Sequence, residues 1–148
     1  MKLVFRTMLI TAAAAIAISG AYAQSAAIAK RKDILKGVGD ATKPVAAMLK
    51  GEAPFDNAKA QKALATYASA AKELKGLFPA DSKTGGDTAA LPKIWDEKAK
   101  FDAIFDKLAA DATAAAGAIK DEASLKANFG KVLGNCKACH DDYRAKKS

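Results

Sequence analysis

Apolar residues recur at steps of three and four along four segments of this chain, a period that predicts amphipathic α-helices rather than strands. We expect the first helix over about residues 25–50 and the second from an N-cap at Asp56 to the region before Pro79. A third helix is expected over about residues 93–119 and a fourth from about residue 121 onward. Four such helices in series predict an all-α fold, an antiparallel up-down-up-down four-helix bundle.

The first residues of the chain have the features of a cleaved signal peptide. Lys2 and Arg6 supply a positive start, an apolar run covers residues 8–18, and Ala21-Tyr22-Ala23 has the small-x-small pattern of a cleavage site. The apolar run is too short to span a bilayer comfortably, and no second apolar segment follows. We therefore expect an exported protein, located in the periplasm, with no stable membrane insertion.

Cleavage after Ala23 would remove residues 1–23 and leave one helical domain over residues 24–148. The formal charge of +8 then falls to about +6, with 22 basic and 16 acidic residues. A basic surface could steer the protein to an acidic redox partner, or the charges could simply solvate the helix faces. No motif supports nucleic-acid binding.

The two cysteines and the one histidine of the chain all lie in Cys136-Lys137-Ala138-Cys139-His140. C-x-x-C-H is the attachment signature of a c-type haem, in which two thiols add to the porphyrin vinyl groups and the imidazole becomes an axial iron ligand. We predict one covalently bound haem c, with Cys136 and Cys139 as its thioether residues and His140 as the iron ligand. Export fits this prediction, because covalent haem is assembled outside the bacterial cytoplasm.

The spacing of the motif places the haem within the fold. Cys136, Cys139 and His140 lie at i, i+3 and i+4, so they share one side of the fourth helix. That side also carries Leu125 and Phe129, which indicates that it faces the core. We therefore expect the haem inside the bundle rather than on its surface.

Two other chemistries use the same residue types. A structural zinc ion usually takes four ligands, and only three Cys or His residues exist here. A dithiol redox pair of the thioredoxin type occurs in a βαβ context, which this helical sequence lacks. Haem attachment is therefore the favoured interpretation.

The chain resembles the cytochrome c′ family, the class II c-type cytochromes, over essentially all of residues 24–148. The resemblance rests on the position of the haem motif near the C-terminus, with Tyr143-Arg144 following it. Further similarities are Lys50-Gly51-Glu52-Ala53-Pro54-Phe55-Asp56, Pro92-x-Ile94-Trp95, and Arg31 with Leu35 four residues later.

The resemblance implies roles for three further residues. Arg144 would lie beside the proximal histidine, and Arg31 would lie near a haem propionate. Leu35 occupies the place from which low-spin members of the family supply a methionine ligand, and leucine cannot ligate iron. The bland alternative for Arg31 is that its side chain snorkels to solvent. The resemblance also leaves a homodimer open.

The residues themselves bear on the sixth iron ligand. In an antiparallel bundle the start of the first helix lies beside the end of the fourth, so Arg31 and Leu35 are at the height of His140. Met48 lies about 20 Å beyond Leu35 on that helix, at about 1.5 Å per residue. It is therefore expected at the other end of the bundle from His140. A lysine in its neutral form could also bind the iron, and Lys32 and Lys36 lie in the right region. Both side chains, however, are expected to point away from the apolar face.

We therefore expect a five-coordinate haem iron with an apolar distal pocket capped by Leu35, suited to NO or CO. Two functions stay open, electron transfer and gas binding, and the alternative is a low-spin six-coordinate carrier that transfers electrons only. An enzyme is disfavoured, because the one histidine is committed as a ligand and no distal acid–base pair is evident. Tyr67, Trp95, Phe101 and Phe105 are expected as core residues rather than cofactor contacts.

Overall fold

The computed structural model describes residues 2–84 and 86–146, with side chains described from residue 26 onward. The predicted signal sequence and its cleavage site lie outside the described side chains. The helices are α1 (Lys2–Lys50), α2 (Asn57–Lys75), α3 (Lys93–Asp96), α4 (Lys98–Ala118) and α5 (Glu122–Tyr143), with a 3₁₀ helix at Ala80–Ser82. Helix α1 thus continues toward the N-terminus beyond its predicted start, as the Ala-rich sequence there allows.

Local interactions fix the first or last residues of several helices. Gly51 takes a positive φ of 77° and terminates α1. Asp56 is the N-cap of α2, as predicted, because its Oδ1 accepts from the Lys59 amide at 3.0 Å. Asp121 caps α5 in a reciprocal box with Ser124, whose amide donates to Asp121 Oδ1 at 2.8 Å.

The prediction of one continuous helix over residues 93–119 was wrong at one point. Glu97 takes φ −119° and ψ 37°, which divides the segment into α3 and α4. The sequence has neither Gly nor Pro at this position. The break brings the Glu97 side chain to the hydroxyl of Tyr143 on α5, so a distant contact accompanies the local irregularity.

Helices α1, α2, α4 and α5 form the expected four-helix bundle, in which α2 packs on α1 and α4, and α4 packs on α5. Within the described ranges the only extended pairing is an isolated bridge between Ala90 and Arg144. Two buried clusters fill the bundle. One surrounds Met48 and Tyr67, and the other surrounds Phe78, Phe101 and Tyr143.

Across the described part of the chain, no helix combines the length and apolarity needed to cross a bilayer.

Candidate haem site

A cavity of about 410 Å³ opens at one end of the bundle, where the first turns of α1 beyond residue 26 meet the last turns of α5. Its volume lies within the usual range of cofactor and ligand sites. Apolar side chains supply most of its wall: Ile28, Leu74, Phe78, Ile94, Phe101 and Phe105. Residues 87–90 of the loop that follows the 3₁₀ helix close one side.

The cavity brings together residues that the sequence placed at the same height. Arg31 and Leu35 come from α1, Cys139 and His140 from α5, and Arg144 from the residue after α5. The predicted closeness of the start of the first helix to the end of the fourth is confirmed. Cys136 is half-buried one turn before Cys139 and is not part of the wall.

His140 stands at the cavity with one of its ring nitrogens beside a guanidinium. Arg144 Nη1 lies 3.4 Å from His140 Nδ1. Partial desolvation of the ring lowers the pKa of His140, and the positive charge of Arg144 lowers it further. The imidazole is therefore neutral at neutral pH, which is the form that binds metals.

The two thiols are free and poorly ionised. Burial raises the pKa of Cys139 to about 11, and a lesser contribution comes from Cys136. Burial also raises the pKa of Cys136. Reactive thiols of dithiol redox motifs have depressed pKa values instead, so this pair does not have their electrostatics. Among the side chains that the structure describes, no group of three or more His, Cys, Asp or Glu is placed to hold a metal ion.

Arg31 is buried, with 4% of its surface exposed, which argues against the alternative that its side chain snorkels to solvent. Its guanidinium carbon lies 4.4 Å from the centroid of the Phe78 ring. Its nitrogens reach Ser82 Oγ at 3.4 Å and the Ser82 carbonyl at 3.5 Å. Burial lowers the pKa of Arg31, which indicates that the charge is poorly solvated. Such a cation suits an anionic group in the cavity.

Leu35 stands out on the cavity wall because 45% of its surface is exposed. Among the described residues it is the large apolar side chain left in this state. An apolar group seated in the cavity would cover it and remove that surface from water.

Met48 lies in the other half of the bundle, with 1% of its surface exposed. Its Sδ accepts from the Asp56 amide at 3.0 Å, so the thioether is engaged away from the cavity. Lys36 pairs with Asp40 at 2.9 Å, outside the cavity, as expected. Lys32 was expected to point away too, and that was wrong, because it lines the cavity and pairs with Asp87 across the loop.

The prediction that four aromatic residues belong to the core was correct for the burial of three of them and incomplete for their contacts. Tyr67, Phe101 and Phe105 are buried. However, Phe101 and Phe105 also line the cavity, so they are core residues and cavity-wall residues at once. Trp95 is only partly buried, packs edge-on against Phe78 at 6.1 Å, and donates from Nε1 to the Pro79 carbonyl at 2.9 Å.

Sequence reasoning missed how the end of α5 is fixed. Tyr143 donates its hydroxyl hydrogen to Glu97 Oε2 at 2.9 Å. The Leu91 amide donates to the Tyr143 carbonyl at 3.0 Å, and the Ala145 amide donates to the Ala89 carbonyl at 2.8 Å. These bonds fix the residues that follow His140 against the loop. Only the position of Tyr143 on the apolar face was readable from the sequence.

A second missed contact lies next to the first cysteine. Asn135 has 6% of its surface exposed on the otherwise apolar face of α5. Its Nδ2 donates to Asp111 Oδ2 of α4 at 2.8 Å. The signal in the sequence was an amide beside the C-x-x-C-H motif, at a position that the apolar pattern would fill with an aliphatic residue.

These observations fit a haem of the c type. The donor set consists of two protonated thiols one helical turn apart, a neutral imidazole, an apolar wall and a buried cation. The fold and the site therefore define an all-α haem-binding bundle.

Comparison with known proteins agrees with this class. A family model described as Cytochrome C′ matches residues 26–144. The chain belongs to the cytochrome c′ family. A Cytochrome c′ of Rhodopseudomonas palustris is 73% identical over 128 residues, which are 86% of this chain and 88% of the relative. The cofactor is haem c, and Cys136 and Cys139 fit its covalent attachment.

Solved structures share the fold. Cytochrome c′ from Rhodopseudomonas palustris superposes with a TM-score of 0.81 at 74% identity, covering 82% of this chain and 98% of that chain. A nitric oxide complex of a mutant cytochrome c prime from Alcaligenes xylosoxidans gives a TM-score of 0.72 at 26% identity, covering 83% of this chain and 97% of that chain.

Proposed function

We propose that this chain is an exported haem c protein whose iron is five-coordinate, binds NO or CO reversibly, and exchanges electrons with a redox partner. The observation that carries the proposal is the part of the cavity wall that α1 supplies, in the same cavity as His140. There α1 presents Leu35, which is exposed and cannot ligate iron. When bound, the haem supplies an iron that takes one diatomic ligand and cycles one electron.

His140 is the proposed axial ligand, and Cys136 and Cys139 are the proposed thioether residues. The neutral state of the imidazole supports this role, because a protonated ring offers no lone pair to a metal. Arg144 is proposed to lie beside the ring on the proximal side, where its positive charge, 3.4 Å from Nδ1, favours the neutral imidazole.

Arg31 is proposed to bind a haem propionate. It is a buried cation whose protein partners are the neutral groups of Ser82 and the face of Phe78. A carboxylate in the cavity would complete its hydrogen bonds and compensate its desolvation. Leu35 and Ile28 are proposed to keep the other face of the haem apolar and crowded, which favours small neutral ligands.

Two residues could supply a sixth ligand in principle, and the geometry weighs against each. Met48 has 1% exposure and its sulfur accepts from the Asp56 amide at 3.0 Å, in the other core cluster. Lys32 lines the cavity but is paired with Asp87. The relative crystallised as a nitric oxide complex supports gas binding over a purely electron-carrying, six-coordinate protein.

The test is spectroscopic. Purified ferric protein should give the EPR and absorption spectra of a high-spin five-coordinate haem at neutral pH, and the ferrous protein should change spectrum on addition of NO or CO. A low-spin ferric spectrum that becomes high-spin in Lys32→Ala would instead identify Lys32 as the ligand. A low-spin spectrum unchanged by that substitution would overturn the five-coordinate assignment altogether.

Export, the redox partner and a homodimer are part of the same proposal. The N-terminal signal supports export to the periplasm, and N-terminal sequencing of the mature protein should begin at Gln24. The net charge of about +6 after cleavage supports an acidic redox partner. Sedimentation of the holoprotein would establish whether two chains associate.

A further inference from the structure

The chain beyond the proposed cleavage site has two tyrosines, Tyr67 and Tyr143, with 1% and 4% of their surfaces exposed. Their hydroxyls have different partners. Tyr67 lies 2.7 Å from Thr42 Oγ1, and the Thr42 hydrogen is directed to the Val38 carbonyl, also at 2.7 Å. Tyr67 therefore donates to a neutral hydroxyl. Tyr143 instead donates to a carboxylate, Glu97 Oε2, at 2.9 Å.

This difference matters for oxidation. A phenol that loses an electron becomes a strong acid, so the loss is easier where a base already accepts its hydrogen bond. Glu97 is such an acceptor, because its Oε2 already accepts the phenolic hydrogen bond, and that bond lowers the pKa of the carboxyl so that it is ionised at neutral pH. A cation also lies near the ring, because the Lys93 Nζ is 5.3 Å from the Tyr143 ring centroid. A nearby cation disfavours a charged radical and favours loss of the proton.

Tyr143 is also placed where an oxidant or the haem can reach it. It lines the cavity, three residues after His140, and packs edge-on against Phe101 with ring centroids 5.1 Å apart. Tyr67 belongs to the other buried cluster and does not line the cavity.

We infer that Tyr143 is a redox-active side chain of the haem cavity, oxidised by one electron with transfer of its phenolic proton to Glu97. The O–H bond breaks, the proton goes to Glu97 Oε2, and the electron goes to a one-electron oxidant such as nitrogen dioxide, which becomes nitrite. The products are a neutral tyrosyl radical and a protonated Glu97. A second nitrogen dioxide then forms a C–N bond on the ring, and the hydrogen of that ring carbon is transferred as a proton, through solvent, to the phenolic oxygen, giving nitrotyrosine.

The inference rests on the proposed function only for the identity of the oxidant, because nitrogen dioxide arises where NO meets oxygen. The hydrogen bond to Glu97 and the place of Tyr143 on the cavity wall do not depend on it.

The first experiment measures the radical in ferric holoprotein that carries ring-deuterated tyrosine. A photoexcited tris(bipyridine)ruthenium complex with persulfate oxidises the sample, which is then frozen for EPR. Tyr143→Phe removes the proposed site, Tyr67→Phe is the matched control, and Glu97→Gln keeps the shape of the acceptor without its basicity. The haem absorption spectrum of each variant reports whether the fold is retained.

We expect a tyrosyl signal that persists in Tyr67→Phe, disappears in Tyr143→Phe and falls about tenfold or more in Glu97→Gln. A signal that survives Tyr143→Phe, a signal absent from the unsubstituted protein, or an unchanged yield in Glu97→Gln would overturn the inference.

A second measurement needs no substitution. Holoprotein exposed to nitrogen dioxide is digested, and the nitrated tyrosine is located by mass spectrometry. We expect nitration of Tyr143 in preference to Tyr67, and equal labelling of the two would contradict the inference. The binding of CO to the ferrous protein is measured separately, so failure of the proposed gas-binding function is distinguishable from failure of this one.

Discussion

Asn135 on α5 donates from Nδ2 to Asp111 Oδ2 on α4 at 2.8 Å, one residue before the first cysteine of the haem motif. The amide also contacts the carbonyls of Lys131 and Val132 within its own helix. Because Asn135 is buried, this bond fixes the register of α5 against α4 at the point where the haem is attached.

We predict that Asn135→Ala lowers the free energy of unfolding by about 1.5–3 kcal/mol, the usual range for a hydrogen bond to a charged group. Asn128→Ala is the matched control, since Asn128 lies on the same helix and donates only to the Ser124 carbonyl at 2.8 Å. Urea denaturation followed by circular dichroism measures both. Equal losses would mean that the contact with Asp111 contributes nothing specific.

Attachment of the haem by two thioethers predicts that the haem is released only when both cysteines are replaced. Cys136→Ala and Cys139→Ala should each retain haem on the polypeptide after denaturation in acidified acetone, whereas the double variant should release it. The absorption spectrum of the pyridine complex should shift in the single variants, because one vinyl group of the haem then remains unreacted. Release of haem from either single variant would show that one thioether is not sufficient.

Crowding by Leu35 predicts faster ligand entry when the side chain is shortened. We expect Leu35→Ala to raise the rate of CO association with the ferrous protein by about tenfold, or about 1.4 kcal/mol in activation free energy. Leu49→Ala is a control on the same helix that does not line the cavity. Stopped-flow absorption gives both rates, and identical rates would argue against a cap at residue 35.

The buried charge of Arg31 predicts a change in reduction potential. A cation beside the haem favours the reduced form, so Arg31→Gln should lower the midpoint potential, by on the order of 50 mV. Lys30→Gln changes the neighbouring, exposed cation and should leave the potential nearly unchanged. Spectroelectrochemical titration measures the two shifts. A larger effect from Lys30 would contradict the role given to Arg31.

The raised pKa of Tyr143 predicts that the folded protein loses stability at high pH. Burial, the hydrogen bond to Glu97 and nearby negative charges raise the pKa of Tyr143 from 10.0 to about 12. The unfolded chain therefore loses this proton first, and stability falls as pH rises from about 10 to about 12. Tyr143→Phe should lack this part of the decline. Urea midpoints across that range, in the variant and the parent protein, provide the comparison.

The features that the sequence predicted well depend on residues that are close together in the chain. The cap at Asp56 needs only the amide three positions later, and the spacing of Cys136, Cys139 and His140 follows from one helical turn. The antiparallel arrangement added the nearness of Leu35 to His140, because helix order alone brings those ends together.

The features that it did not predict depend on partners far away in the chain. The break at Glu97 is accompanied by the hydroxyl of Tyr143, and the burial of Arg31 depends on Ser82 and Phe78. Lys32 turns to the cavity because Asp87 lies across it. No local pattern records these pairings, since each joins a helix to a loop or a helix junction whose path the periodicity does not describe.

The short pairing of Ala90 with Arg144 has a consequence for the order of assembly. It joins the chain segment after the last full turn of α5 to a loop that also lines the cavity beside residues 28–35 of α1. Contacts between such distant parts of a sequence form slowly compared with individual helices, because a long loop must close first. We therefore expect the helices to form before this end of the bundle shuts. During that interval the residues that line the cavity, Cys139 and His140 among them, stay more accessible than in the folded protein.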